Sequence, residues 1–187
     1  MPDEHSDSLA PALLLSMPQL ADPNFARSVI LLCRHTVDGA FGLVINRQLP
    51  LPARVVVQED PATTSEKEVP VWLGGPVEQE RSWILLGDDP GDAEATPIID
   101  GLYVSTSPEL LKRLTGGALP RARLLVGYAG WGPGQLDAEL KQSAWLTTDV
   151  TMDLVFETPA DSMWETAIRR LGADPATLQM GGHGGVH

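Results

Sequence analysis

Residues 17–47, MPQLADPNFARSVILLCRHTVDGAFGLVINR, form the stretch that decides the fold. Two apolar runs within it, 28–35 and 41–45, are rich in Val, Ile and Leu and flank the pair Asp38-Gly39. An Asp-Gly pair between two such runs is typical of a β-hairpin with a tight turn. The sequence therefore predicts two adjacent antiparallel strands, around which the later segments pack.

The first of these strands carries the only cysteine, Cys33, and His35 follows two residues later. Strand alternation places both side chains on the same face, with their Cα atoms about 7 Å apart. A thiol beside an imidazolium can act as a nucleophile or a redox sensor. The alternative is that Cys33 is a small core residue. Cys33 and His35 are the candidate catalytic residues, but no acid in a fixed local register completes a triad.

Two glycine-rich stretches follow, GGPV at 74–77 and GYAGWGPGQL at 127–136. Together with 17–47, and in this order, they resemble the three signatures of the AlgH/YqgE family of bacterial proteins, mostly described as uncharacterised or as proposed transcriptional regulators. The resemblance runs from about Leu13 to Gly172. It implies a single α+β domain in the cytosol, a hint of gene regulation and no established reaction. Gln48 stands where the family usually has a proline. This difference affects only the expected geometry of the local turn.

Composition limits the class of protein and its partners. A chain of 187 residues suits one domain, and 43% hydrophobic with 20% charged residues is ordinary for a globular protein. The net charge of −12 disfavours direct DNA binding, which needs Lys and Arg to neutralise phosphates. One cysteine allows no internal disulfide, the acidic N-terminus is unlike a signal peptide, and no apolar run is long enough for a membrane span. We therefore expect a cytoplasmic protein with no membrane association.

The order of the predicted elements indicates an α+β fold, because strands outnumber helices and occur in runs. We expect a single domain over 11–179 with flexible ends at 1–10 and 180–187. It has a coiled, mixed but mostly antiparallel sheet, with partial closure as an alternative to an open one. About three helices pack on the sheet, beginning near Ser107, Gln135 and Ser162. Residues 51–58 fit a short helix or a strand, and 59–67 read as a polar loop.

The loop 130–134 is a candidate binding element, because a glycine-rich turn into a helix leaves free N–H groups that can hold an anion. It has neither the P-loop nor the dinucleotide-binding spacing. The alternative is that its glycines permit the turn and the close packing of Trp131. Tyr128 and Trp131 are nevertheless candidates for lining a pocket.

Polar residues at the ends of the hairpin region form a third candidate set for ligand binding. Paired arginines can clamp a carboxylate or phosphate. More often such residues satisfy loop backbone and one another. The set comprises Asp22, Asn24, Arg27, Asn46 and Arg47.

No metal or cofactor is expected, since His5, His183 and His187 lie in flexible, glycine-rich or terminal sequence that forms no preorganised site. The sequence thus predicts a cytosolic binding or regulatory protein, acting indirectly on transcription, with a redox-responsive Cys33. Its partner is an unidentified protein or small molecule. The alternative is a small hydrolase or thiol-dependent enzyme that uses Cys33 and His35.

Overall fold

The hairpin predicted from the opening stretch lies in the middle of the main sheet of the computed structural model, which describes residues 8–18, 20 and 22–181. Its strands are β2 (Val29–Thr36) and β3 (Gly39–Val44), paired antiparallel. Gly39 has a φ of +139°, and a Cβ there would lie 2.3 Å from the carbonyl oxygen of Trp131. The two turn residues are Val37 and Asp38, and Gly39 begins β3, where the missing side chain allows β10 to approach the hairpin closely.

Nine strands form the main sheet and two form a separate hairpin. The remaining strands are β1 (Ala12–Ser16), β4 (Ala53–Asp60), β5 (Thr63–Val69), β6 (Val71–Leu73), β7 (Val77–Leu86), β8 (Thr96–Ile99), β9 (Leu102–Ser105), β10 (Ala122–Trp131) and β11 (Trp145–Thr148). The order is β11-β1-β2-β3-β10-β7-β9-β8, with β6 parallel to β10 and all other described pairs antiparallel. The mixed, mostly antiparallel sheet is confirmed. It is not closed, since β11 and β8 end the described order.

The three predicted helices are α1 (Pro108–Thr115), α2 (Gln135–Lys141) and α3 (Ala160–Arg170). Ser107 caps α1, its hydroxyl accepting a hydrogen bond from the amide of Leu110. The predicted start of α3 near Ser162 is late, because the helix begins at Ala160 and the Ser162 hydroxyl donates to the carbonyl of Pro159. A 3₁₀ turn (Pro23–Phe25), a π-helical turn (Asp153–Glu157) and helix α4 (Pro175–Gly181) complete the described elements.

Both faces of β1 and of the first half of β2 (residues 29–32) are buried, which explains why these segments are continuously apolar instead of alternating. One face packs against α3 and the π-helical turn, through side chains such as Leu31 and Trp164. The other face packs against α2 and β11, through Ile30 and Leu136. The domain is therefore one α+β unit with helices on both sides of its central strands.

Residues 51–58 lie mostly in a strand, one of the two predicted alternatives, whereas residues 59–67 differ from the prediction. The segment expected to be a polar loop, 59–67, lies mostly in a second antiparallel hairpin, β4–β5, outside the main sheet. The side chains of β5 are mostly exposed, so the segment lacks the apolar alternation that identifies a half-buried strand. On β4, Arg54 lies opposite Glu68, and the three valines 55–57 lie opposite the polar residues 65–67 of β5.

The two predicted flexible ends lie largely beyond the part of the chain that can be described. Residues 1–7 and 182–187 are outside the described residues, and with them His5, His183 and His187. Helix α4 continues through residue 180 to Gly181. No described helix is long and apolar enough to cross a membrane.

Candidate functional site

Strand β10 joins the two halves of the sheet. Its first part pairs with β7 and β6, whereas its last residues, 129–131, pair with β3. The register of β10 with β7 shifts at Gly127, just before the change of partner after Tyr128. Gly127 has a φ of +75°, and a Cβ there would lie 2.2 Å from the carbonyl oxygen of Gly75. Only glycine tolerates both this left-handed conformation and such close backbone contact.

The three stretches that resemble the family signatures meet at this junction. Ala129 of β10 pairs with Gly42 of β3, and Tyr128 pairs with Val77 at the start of β7. Gly74 also connects β10 with β3. Its amide donates a hydrogen bond to the carbonyl of Val126 at 2.7 Å, and its carbonyl accepts one from the amide of Val44 at 2.8 Å. The signatures are therefore one structural unit, and the site is built on it.

Three aromatic rings from three strands cluster on one side of the junction. Phe41 of β3 lies 4.8 Å from Trp83 of β7 and 5.3 Å from Tyr128 of β10, measured between ring centroids. Trp83 and Tyr128 meet edge to face at 6.1 Å. All three side chains are half-buried. Rings at these separations and tilts stabilise one another while leaving part of their surface accessible.

These rings form one wall of an open cavity of about 780 Å³, here called the aromatic groove. Its lining comes from four segments of the chain, 33–41, 77–83, 94–106 and 128–131. The volume lies within the roughly 300–1,000 Å³ of typical small-molecule sites. The other described cavities contain no comparable aromatic cluster.

Two arginines and one glutamate supply the charged groups of the aromatic groove. Arg34 is exposed, stands directly across the strand pair from Phe41, and makes no ion pair or side-chain hydrogen bond with any described residue. The guanidinium carbon of Arg81 lies 4.7 Å from the ring centre of Trp83. The Nη1 of the same guanidinium lies 3.5 Å from a carboxylate oxygen of Glu78. Glu94 is the acid in the lining. The groove therefore offers one unpaired cation next to its aromatic wall.

Cys33 lies in the wall of the groove at a β-bulge. The pairing of β2 with β3 shifts between Leu32 and Arg34, so Cys33 is the extra residue. Cys33 packs against the α3-side core, and its thiol lies 3.5 Å from the carbonyl of Leu31. Burial raises the pKa of the Cys33 thiol to about 12. The thiol is therefore protonated near neutral pH. A nucleophilic cysteine needs the thiolate, so this state is typical of a cysteine that only packs in the core.

The bulge also separates Cys33 from His35, so the expectation that they share a face is wrong. His35 is buried opposite Ala40, a residue of the α2-side core, whereas Cys33 belongs to the α3 side. The Nδ1 of His35 accepts a hydrogen bond from the amide of Leu9 at 3.1 Å, and its Nε2 lies 3.2 Å from a carboxylate oxygen of Asp137 on α2. His35 thus holds the N-terminal segment and α2 against β2. No described hydrogen bond joins it to Cys33.

Trp131 borders the groove, but its indole belongs to the core on the α2 side. The ring is 7% exposed and meets Trp145 edge to face at 6.0 Å. Both indole nitrogens donate to the same oxygen of Glu139, at 2.9 and 2.8 Å. In the glycine-rich loop before α2, the amide of Gly132 is already bonded to the side chain of Gln135. These contacts favour the packing interpretation of the loop.

The polar residues at the hairpin ends lie apart from the groove and bond mainly to loop backbone. Asp22 caps the 3₁₀ turn, and Asn46 bridges the amide of Val29 and the carbonyl of Arg27. Arg47 donates to the carbonyls of Asn24 and Ala26, and Arg27 forms an ion pair with Glu165 of α3. Asn24 and Arg47 border a cavity of only about 20 Å³. Their geometry is that of a loop-fixing network.

Comparison with known proteins agrees with this architecture. A family model described as AlgH-like matches residues 13–176. The chain belongs to the AlgH-like family. A UPF0301 protein of Myxococcus xanthus is 43% identical over 176 residues, covering 93% of this chain and 97% of the relative. A UPF0301 protein of Ruegeria pomeroyi is 39% identical over 171 residues, covering 89% and 93%.

Two solved structures resemble this member of the AlgH-like family. The solution structure of the AlgH protein from Pseudomonas aeruginosa has a TM-score of 0.73 at 31% identity and covers 96% of this chain and 97% of that one. A crystal structure from Corynebacterium diphtheriae has a TM-score of 0.66 at 24% identity, covers 86% of each chain, and shows the fold alone. These relatives carry family names and not the name of an activity. Family membership therefore establishes the fold, and the function has to be inferred from the site.

Several groove residues were missed by the sequence analysis, which named only Cys33, Tyr128 and Trp131 among them. Phe41 and Arg34 become cross-strand neighbours only when the turn is placed at Val37-Asp38, which the Asp-Gly pair did not indicate. Trp83 and Arg81 were not detectable either, since β7 reaches the junction only through the tertiary pairing with β10. The described residues contain no cluster of three or more His, Cys, Asp or Glu able to hold a metal ion.

Proposed function

We propose that this member of the AlgH-like family is a cytosolic binding protein that takes up a small molecule in the aromatic groove. The observation that carries the proposal is the junction of Phe41, Trp83 and Tyr128 beside the unpaired Arg34, in a cavity of about 780 Å³. Ligand sites are usually apolar concavities with a few polar groups that fix orientation. This groove has that composition.

The groove is better suited to binding than to catalysis. General acid–base chemistry needs a group that titrates near the working pH. Among the described residues, the lining has no His, Asp or Lys, its carboxylate, Glu94, is exposed, and burial keeps the pKa of its one thiol at about 12. His35, the other half of the thiol-enzyme alternative, lies on the opposite face of β2 with Asp137. Neither a Cys33–His35 enzyme nor a redox-responsive Cys33 gains support from this arrangement.

A regulatory role follows from binding if occupancy of the groove alters the junction. β3, β7 and β10 each contribute a ring, and β10 pairs with β7 up to Tyr128 and with β3 from Ala129 onward. A ligand that favours one arrangement of the rings shifts the population of the junction toward that arrangement. Any action on transcription is then indirect, through a partner that senses this junction, in keeping with the acidic charge of the chain.

The test uses the tryptophan indoles as site-resolved reporters. ¹⁵N-labelled protein is mixed with the protein-free small-molecule fraction of a bacterial lysate, and the indole N–H signals are followed by NMR. Trp83 is expected to shift, whereas Trp164, whose indole is buried and bonded to the carbonyl of Ser16 at 3.0 Å, stays in place. Native mass spectrometry of the same sample should show an added mass that denaturation removes.

The matched variants are Phe41→Leu and Phe25→Leu. Phe41 is in the groove wall, whereas Phe25 packs against Trp145 on the other side of the sheet. Phe41→Leu should lose the added mass and the Trp83 shift while keeping the Trp164 signal of a folded protein, and Phe25→Leu should keep all three. The proposal fails if no added mass forms, or if Phe41→Leu binds as well as the parent.

A further inference from the structure

We infer that the ligand of the aromatic groove is a flat aromatic molecule that carries an anionic carboxylate or phosphate group. This inference rests on the proposed function and names the chemical class of the ligand. It depends on two independent features of the groove, the shape of its ring wall and the sign of its free charge.

The ring wall selects a flat apolar body. Phe41, Trp83 and Tyr128 are tilted toward one another by 45–79°, so their faces and edges line the cavity from several directions. An inserted ring can meet one of these faces in offset or edge-to-face geometry, which is the favoured arrangement of aromatic pairs. A flexible aliphatic chain of equal surface area buries as much apolar surface but makes no offset or edge-to-face ring contact. It also loses more conformational entropy on binding.

The free charge selects an anion. Arg34 stands across the strand pair from Phe41, so a group attached to a ring on Phe41 is within its range. No described acid pairs with Arg34, whereas Arg81 has Glu78 at 3.5 Å and a stacked position over Trp83. A guanidinium with five donors and a fixed planar fork matches carboxylate and phosphate oxygens. The protein as a whole carries a charge of −12, so an exposed arginine that is left unpaired is unusual here.

Glu94 lies in the lining as well and refines the inference. An acid in the wall repels a ligand whose negative charge is spread over the whole molecule. It tolerates a ligand whose charge is confined to one end, near Arg34. The preferred class is therefore a ring with a single localised anionic group, more than a polyanion.

The experiment compares four probes that separate ring from charge. They are 2-naphthoate, the neutral 2-naphthamide, the cationic 2-naphthylmethylammonium, and cyclohexanecarboxylate, which has the charge without an aromatic ring. Affinities are measured by calorimetry and by the Trp83 indole shift. The naphthoate should bind about tenfold or more tightly than the amide, which is the ordinary gain from one charge-assisted hydrogen bond.

Matched arginine variants locate the charge. Arg34→Gln should remove the preference for naphthoate over naphthamide and leave binding of the amide unchanged. Arg54→Gln is the control, because Arg54 is an equally exposed arginine on the β4–β5 hairpin and pairs with Glu66 there. It should leave the naphthoate preference intact.

Each outcome decides the inference. It is overturned if the naphthoate does not bind, if the amide or the ammonium probe binds as tightly as the naphthoate, if cyclohexanecarboxylate matches it, or if Arg34→Gln keeps the preference. When that happens while the lysate fraction still shifts Trp83, the ligand class is wrong and the groove remains a binding site. When the lysate fraction also leaves Trp83 unmoved, the proposed function itself is wrong.

Discussion

Replacing Glu139 by alanine should strongly destabilise the protein, although the residue is only half-buried on a short helix. One carboxylate oxygen of Glu139 accepts hydrogen bonds from the indoles of Trp131 and Trp145, which are 7% and 3% exposed. The alanine variant leaves both donors without a partner and nearly out of reach of water. An unsatisfied buried donor costs about 1–3 kcal/mol.

Two such donors give a loss of about 2–6 kcal/mol in the free energy of unfolding, and we expect the lower half of that range. The reduction arises because the Glu139→Ala variant no longer has to dehydrate a carboxylate, and because Trp131 retains slight solvent contact. The loss is a large fraction of the total stability of an ordinary domain. The variant should therefore unfold at a clearly lower urea concentration.

The measurement is urea unfolding followed by far-UV circular dichroism, with two controls. Glu139→Gln keeps an acceptor oxygen at the same position and should lose less than half as much as alanine. Lys141→Ala changes an exposed residue on the same helix and should alter stability by less than about 0.5 kcal/mol. An alanine variant within about 1 kcal/mol of the parent, or a glutamine variant as unstable as alanine, would refute the role of Glu139 as the shared acceptor.

Two further predictions concern the thiol and nucleic acid. Alkylation of Cys33 in the folded protein should be slow at pH 7 and rise with pH well beyond 9, because burial holds the pKa of the thiol at about 12 and only the thiolate reacts. His35→Gln should leave that pH profile unchanged; a rate that levels off by pH 8, or that falls in the variant, would restore the thiol–imidazole pair. Purified protein should not bind duplex DNA with sub-micromolar affinity at physiological salt, because the chain has 25 acidic against 13 basic residues. A salt-sensitive gel shift at such concentrations would show that this charge argument is wrong.

The central strands and the helix starts were predictable because their signals are local. The apolar runs around Asp38-Gly39 determine the β2–β3 hairpin, and Ser107-Pro108 marks the start of α1. These features depend on turn chemistry and capping within a few residues. The β4–β5 hairpin was only partly predictable. A strand was one of two alternatives for 51–58, but β5 buries little of its surface and shows no apolar period.

The site was less predictable than the fold because it depends on pairing between distant segments. No local sequence signal indicates the bulge at Cys33. This bulge alone moves the side chain of His35 to the other face of β2. The aromatic wall requires Phe41, Trp83 and Tyr128 to be brought together by β10, whose partner changes from β7 to β3 after Tyr128. The glycine-rich signatures indicated where the strands meet, but not which side chains they place in the groove.

The position of β1 has a consequence for how the chain is made. β1 pairs with β2, which follows it closely, and with β11, which is synthesised more than a hundred residues later. On the order of ten seconds of synthesis separates those two partners at ordinary elongation rates. Throughout that interval the apolar segment 13–15 keeps an open hydrogen-bonding edge, and β3 keeps another until β10 arrives. Such edges pair readily with other chains. Both edges are open until β10 is synthesised, so the nascent protein is most exposed to aggregation before that point, and the pairing of β11 with β1 then closes the second edge.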